Sequence, residues 1–195
     1  MANSDIPAGF KPVKYLSGAP WSGKANVYYV PSTDDTALFI GDAVVSAGSA
    51  TSDGRYGTVT QAAAGDVIRG VVVGFGSEPH LMMDADTPTR TYRPASTAMY
   101  VLVVDDPFVI FEIQEDSVGN SITAAMVGLS TDIVVGSGNT TTGKSGMELD
   151  SSDTATGAGQ CKLLNIARRE NNALGDNCSW EVLIVEHEML SATDV

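Results

Sequence analysis

The sequence predicts an all-β fold: an antiparallel β-barrel or sandwich, β-tulip- or jelly-roll-like, with an extended N-terminal arm and at most one or two short helices. Three observations predict it. Almost every apolar run is short, rich in β-branched or aromatic residues, and bounded by Gly, Asp, Asn or Pro. In "FVIFEIQE" the apolar Val109, Phe111 and Ile113 alternate with Glu112 and Gln114, the period of a half-buried antiparallel strand. Long helical segments alternating with the strands are missing, which leaves sheet to pack on sheet.

Residues 1–24 open the chain with Pro7, Pro12 and Pro20, no usable periodicity, and the bulky Ile6, Phe10, Tyr15, Leu16 and Trp21. Proline blocks helix and ladder alike, so this stretch is expected to be an extended arm rather than a core element. Residues 25–195 are expected to form a single β domain. Its strands are read from "NVYYVP", "TALFIGDAVVSAG", "GTVTQ", "DVIRGVVVGFG", "AMYVLVVDD", "FVIFEIQED", "TDIVVGS", "CKLLNIA" and "SWEVLIVEHE". "SDGRYG" and "NNALGDN" bring Gly and Asn for the positive φ of hairpin turns. "SITAAMVG" carries a Ser N-cap and a Gly stop around about two turns of helix. "KLLNIARRENNAL" fits both periods, and the turn and clear strand that follow it favour a strand. Residues 76–94 make a long loop, the kind that tends to be functional or mobile.

With 195 residues, the chain can bury a core without help from a metal or a disulfide. Its net charge of −13, from 24 acidic and 11 basic side chains, argues against nucleic acid as a ligand, because that binding depends on basic groups displacing counterions. Residues 1–31 hold Lys11, Lys14 and Lys24 against Asp5, a balance of +2 that leaves −15 for the rest. A basic, aromatic-bearing start on an acidic body predicts two different surfaces. Cys161 and Cys178 are the only cysteines and are expected to be free, buried thiols, as in a reducing cytoplasm. A bond between them across adjacent strands is the alternative. "MANSDIPAGF" lacks a basic n-region and an apolar h-region, so no secretory signal is expected. The apolar runs are strand-sized, short of the ~20 residues of a membrane helix, so no membrane partner is expected.

"GSGNTTTGKSGMELD" places Gly138, Gly143, Lys144 and Ser145 at phosphate-loop spacing, and "MYVLVVDDP" ends in Asp105 and Asp106 like a magnesium-holding strand. A working phosphate loop also needs a helix that starts at the Lys-Ser and points its positive end at the anion. Here Gly146, Gly157 and Gly159 follow, with Ser151, Ser152, Asp153 and Thr154 among them, which argues against a helix. Only 50 residues remain after Ser145, the acidic strand precedes the loop instead of following it, and βαβ alternation is absent. The motif is therefore predicted to be a solvent-exposed hairpin loop. His80 and His187 lie too far apart in sequence to suggest a metal site. Asp34–Asp35, Asp84–Asp86 and Asp105–Asp106 lack the spaced oxygen ligands and turn glycine of a calcium loop. No G-x-S-x-G motif occurs and neither cysteine has a histidine partner, so no catalytic residue, cofactor or metal is expected.

Two phrases carry more information. "FIGDAVVSAGS" contains Gly41-Asp42-x-Val44, and "AAAGDVIRGVVVGF" contains Gly65-Asp66-x-Ile68-x-Gly70-Val71. The pairing resembles the head decoration, or structural cement, proteins of tailed bacteriophages, in which a strand ends in such a turn and a later strand returns beside it. "GFKPVKYLSGAPWSG", "YRPASTAMYVLVVDDPFVIFEIQED", "TTGKSGMELDSS" and "RRENNALGDNCSWEVLIVEHE" extend the resemblance over most of the chain. The residues suit it: each Asp can bond backbone amides two residues on, and Gly70 and Gly74 mark bulges or corners.

The resemblance implies a non-enzymatic virion protein, assembled in the host cytoplasm, that binds the outer surface of the capsid. There it would lock neighbouring capsomers of the major capsid protein together against the pressure of packed DNA. It implies a small symmetric oligomer, a homotrimer in preference to a homodimer, in which one weak contact repeats. The arm is the expected capsid-binding element, through Ile6, Phe10, Lys11, Lys14, Tyr15 and Trp21. Its prolines reduce the entropy lost on docking, and its apolar groups are poorly covered on a free tail. The alternative is an arm that packs back on its own barrel or clamps a neighbouring subunit. The competing function is a virion-surface carbohydrate-binding or adhesin-like β domain, which needs exposed aromatics grouped on one face. Trp21 in the arm and Trp180 in a core-like strand rank that reading second, and an enzyme ranks last for want of a catalytic constellation.

Overall fold

A computed structural model describes residues 3–76, 90–152 and 159–190. The protein is all-β. Strands β1 (Lys11–Tyr15), β9 (Val109–Gln114), β14 (Ser179–Ile184), β13 (Cys161–Ile166) and β10 (Ser130–Thr131) form one antiparallel sheet in that order. Strands β2 (Asn26–Val30), β5 (Gly57–Gln61), β4 (Ala43–Ala50), β6 (Gly70–Gly76) and β8 (Met99–Val104) close into a barrel. All its pairings are antiparallel except β2 with β5. Two short ribbons complete the set: β3 (Leu38–Phe39) with β7 (Tyr92–Arg93), and β11 (Ile133–Val134) with β12 (Glu148–Leu149).

Barrel and sheet are joined by alternation along shared strands. Val44, Val72 and Val103 point into the barrel with Val30, Leu38, Val59, Phe75 and Val101. Their neighbours Ala43, Val71 and Val104 point the other way, into a second cluster with Phe111, Ile113, Leu163, Trp180 and Val182 of the sheet. A period of two thus lets β4, β6 and β8 serve two cores at once. Each large side chain buried this way contributes roughly 1.5–3 kcal/mol.

Every strand phrase read from the sequence contains a strand of the structure, including "CKLLNIA". The expected helix in "SITAAMVG" shrinks to a 3-10 turn, Ala124–Met126. None of its residues is buried, so no apolar face holds a longer helix together. The 76–94 loop ends in the ribbon strand β7; its residues 77–89, with Asp84, Asp86 and His80, lie outside the described residues. Arg93 of β7 is fully buried and bonds Asp34 Oδ1 at 3.0 Å and the carbonyls of Pro31, Asp34, Thr36 and Thr97, so its charge is compensated by a full set of acceptors.

The N-terminal segment corrects the expectation of an arm outside the core. β1 is the edge strand of the sheet and pairs with β9, Lys11 opposite Glu112 and Tyr15 opposite Val109. Phe10 is only 2% exposed and lies in the cluster beneath the sheet. Pro12 is tolerated because an edge strand has one unpaired side and the register shifts between Pro12 and Lys14. Residues 19–21 then fold back on that free side, with Tyr15 N donating to Ala19 O and Trp21 N to Val13 O. Residue 24 therefore marks no boundary between arm and body.

Candidate functional site

The two Gly-Asp turns are built alike. Gly41 has φ 96°, and a Cβ there would meet Ala8 O at 2.5 Å, so only glycine fits. Buried Asp42 accepts from Phe39 N at 2.8 Å and from Gln61 Nε2 at 3.1 Å. Burial raises its pKa, against the opposing effect of these bonds and of Ser145. In the second turn Asp66 Oδ2 accepts from Ala63 N at 2.7 Å, and Gln160 Nε2 holds the turn by donating to Ala63 O and Asp66 O. In both turns the amide bonded lies three residues upstream of the Asp, not two residues on as expected. The strands that follow lie side by side, Ala43 opposite Val71 and Val44 opposite Gly70.

The phosphate-loop motif packs against the first of these turns. It joins β11 to β12 as a hairpin loop, and the chain enters strand β12, not a helix, after Ser145. Its tip, Asn139–Thr142, is exposed, whereas Gly143 and Ser145–Met147 are buried, which corrects the expectation of a wholly exposed loop. Its amides are consumed internally. Thr141 N and Thr142 N donate to Asn139 Oδ1, Gly143 N to Asn139 O, Lys144 N to Thr142 Oγ1, and Ser145 N to Ile40 O. Gly138 is required by the Phe39 ring, 2.1 Å from where its Cβ would stand, and Gly143 by Thr91. The motif's glycines serve close packing, and no amide nest remains for a phosphate.

Alternation in β9 sends Phe111 and Ile113 into the core and leaves Glu112 and Gln114 on the outer face of the sheet. Above them lies a cleft of about 290 Å³, whose lining includes Ile6, Lys11, Glu112, Gln114, Lys144 and Arg169. One wall is the segment before β1, held by side-chain amides rather than by a ladder. Gln114 Nε2 donates to Ser4 O (2.8 Å) and Asn177 O (2.9 Å), its Oε1 accepts from Ile6 N (3.1 Å), and Asn3 Nδ2 donates to Ala173 O (2.7 Å). Arg169 Nη1 pairs with Glu112 Oε1 at 2.7 Å and its Nη2 donates to Ser179 Oγ at 2.6 Å. Among the described residues, neither Lys11 nor Lys144 has an ion-pair partner. Three cations and one carboxylate line the cleft, a local charge of +2 on a chain of −13.

Of the residues expected to bind a partner, the cleft brings together Ile6, 68% exposed, and Lys11. Phe10 is committed to the core, Lys14 is paired with Glu181 at 2.7 Å, and Tyr15 and Trp21 pack half-buried against the cluster beneath the sheet. Lys144 and Arg169 were not foreseen as partners of Lys11. The alternation in "FVIFEIQE" marks Glu112 and Gln114 as outward-facing, but nothing in the sequence signals Arg169.

The other groups singled out are buried or make internal contacts. Asp105 accepts from Asn26 Nδ2 (2.8 Å) and Tyr28 OH (2.7 Å) and lies 3.6 Å from Arg69, which also faces Glu188 at 3.7 Å. Burial and Asp105 push Tyr28 up to about 12. His187 is buried, with Nδ1 accepting from Met189 N at 3.1 Å. Cys161 and Cys178 are both free and buried. Among the described residues, no group of three or more His, Cys, Asp or Glu is placed to hold a metal ion, and no helix is long and apolar enough to cross a membrane. Comparison with protein-family models, with curated proteins and with solved structures returned no match.

Proposed function

We propose that this chain is a bacteriophage head decoration protein, a non-catalytic cement that binds the outer surface of the capsid and joins capsomers of the major capsid protein. The supporting observation is the pairing of the two Gly-Asp phrases. Val44 of the first phrase lies opposite Gly70 of the second on adjacent barrel strands, with Ala43 opposite Val71, the arrangement the resemblance implies. In this reading the protein acts as a homo-oligomer, a trimer in preference to a dimer, so that a weak contact repeats around a symmetry axis of the shell. The test is electron microscopy of undecorated shells mixed with the protein. Regular knobs at symmetry positions are the expected result, and bare shells at saturating protein would reject the reading.

One observation favours the adhesin-like alternative. Tyr29, Tyr56 and Tyr100 gather on the barrel, with ring centroids 5.2 Å apart for Tyr29–Tyr100 and 5.3 Å for Tyr56–Tyr100. Such a group of rings can stack on a sugar face. Glycan binding lost in Tyr56→Ala, by a protein that leaves shells bare, would favour that alternative.

A further inference from the structure

We propose that the cleft lined by Lys11, Lys144 and Arg169 is a docking site for the carboxylate side chains of a short acidic segment of a partner protein. The proposal rests on the cement reading only for the partner's identity, which would then be the shell protein.

The charge pattern is the first reason. A concave site of net +2 on a chain of −13 focuses an attractive field for anions on a protein whose net charge repels them. The site already holds one carboxylate, since Glu112 lies 2.7 Å from Arg169. Lys11 and Lys144 bring two further cations that, among the described residues, have no acidic partner. They come from β1 and from the β11–β12 loop, on different parts of the chain.

The kind of anion follows from the donors left over. Phosphate is held best by converging amides or a free guanidinium fork, with lysine adding only a point charge. The loop amides of Thr141, Thr142, Gly143, Lys144 and Ser145 already have acceptors, and Nη1 and Nη2 of Arg169 already face Glu112 and Ser179. Gln114, Asn3 and Asn172 on the cleft wall are already engaged with backbone groups. What remains is a pair of compact charges on flexible stems, suited to carboxylates that are themselves on flexible stems. At about 290 Å³ the cleft takes a few side chains of an extended segment, not a large ligand. Exposed Ile6 adds an apolar contact.

The experiment measures anisotropy of a labelled oligoglutamate peptide titrated with the full chain, beside a Gly-Ser peptide of equal length. The proteins are wild type, Lys11→Gln, Lys144→Gln, the double variant, and Lys162→Gln as an exposed lysine outside the cleft. Expected are salt-sensitive binding of oligoglutamate alone, weakening of about three-fold in each cleft variant and about ten-fold in the double, and no change in Lys162→Gln. Binding that falls equally in Lys162→Gln would mean diffuse attraction, and no preference over Gly-Ser would mean no site; either result overturns the proposal. Competition by inorganic phosphate at lower concentration than by free glutamate would overturn the choice of carboxylate. Thermal melts confirm that each variant is folded. Sedimentation of the same proteins with undecorated shells separates the two readings. Peptide binding without shell binding keeps the cleft and removes the shell protein as its partner, whereas undiminished shell binding by the double variant excludes the cleft as the shell contact.

Discussion

Phe10 meets Phe111 edge to face, with ring centroids 5.8 Å apart and planes at 84°. This pair fastens the first strand to the centre of the sheet, and Phe10 N secures it further by donating to Gly41 O at 2.9 Å. Phe10→Ala is expected to cost about 3–5 kcal/mol, the range for emptying a buried aromatic site. Denaturant unfolding of the variant checks it; a loss under about 1 kcal/mol would mean that the segment is a detachable arm.

Shortening the chain to begin at Gly23 removes both that ring and β1. The shortened protein is therefore expected to lose cooperative unfolding, which circular dichroism melts would reveal. A melt matching the full chain would contradict the role given to β1. The contribution of the N-terminal segment to partner binding is consequently tested with surface substitutions.

Lys144→Ala is expected to leave stability unchanged within about 0.5 kcal/mol, as for other exposed sites. ATP or GTP with magnesium is expected to give no thermal shift in the wild type. A saturable shift that Lys144→Ala abolishes would restore the phosphate-loop reading.

Acidity is expected to stabilise the protein near neutrality. Burial pushes Glu115 from its usual 4.5 to about 7, and burial, followed by Asp5 and Asp116, does the same to Glu148. Between these values the folded state binds more protons than the unfolded chain, so stability falls as pH rises and the full penalty stands above about 7. The thermal midpoint is expected to rise by a few degrees, roughly 2–5 °C, from about pH 8 to about pH 6. His187, whose pKa burial lowers, opposes the trend below its usual 6.5. Glu115→Gln should flatten the rise; an unchanged slope would place the effect elsewhere.

Dithiothreitol is expected to leave the thermal midpoint unchanged, because Cys161 and Cys178 are both free. Burial raises both thiols, Cys178 to about 12, so the native protein should react slowly with a thiol reagent and both cysteines quickly once unfolded. Fast reaction in the native state would contradict their burial.

The strands were legible because alternation and β-branching act within five or six residues, a scale that sequence displays directly. The two-residue strands Tyr92–Arg93 and Glu148–Leu149 were not, since no periodicity fits in them and no apolar run marks them. The prolines misled at Pro12, where an edge position and a bulge remove the conflict that proline creates inside a ladder. The phosphate motif misled in the opposite way, its glycines being demanded by Phe39 and Thr91. Half of the cleft was readable: "FVIFEIQE" exposes Glu112, and the basic start exposes Lys11. That Lys144 and Arg169 join them follows from the tertiary path, which no local pattern encodes.

The double service of β4, β6 and β8 has a mechanical consequence. Val71 and Val72 are consecutive, yet one is seated beneath the sheet and the other inside the barrel. The three strands thus form a party wall between two rooms, and removing the wall opens both. A pull on the sheet passes through this wall into a ring of hydrogen-bonded strands that has no loose end. The molecule is therefore expected to unfold as one body, in a single event instead of sheet first and barrel later.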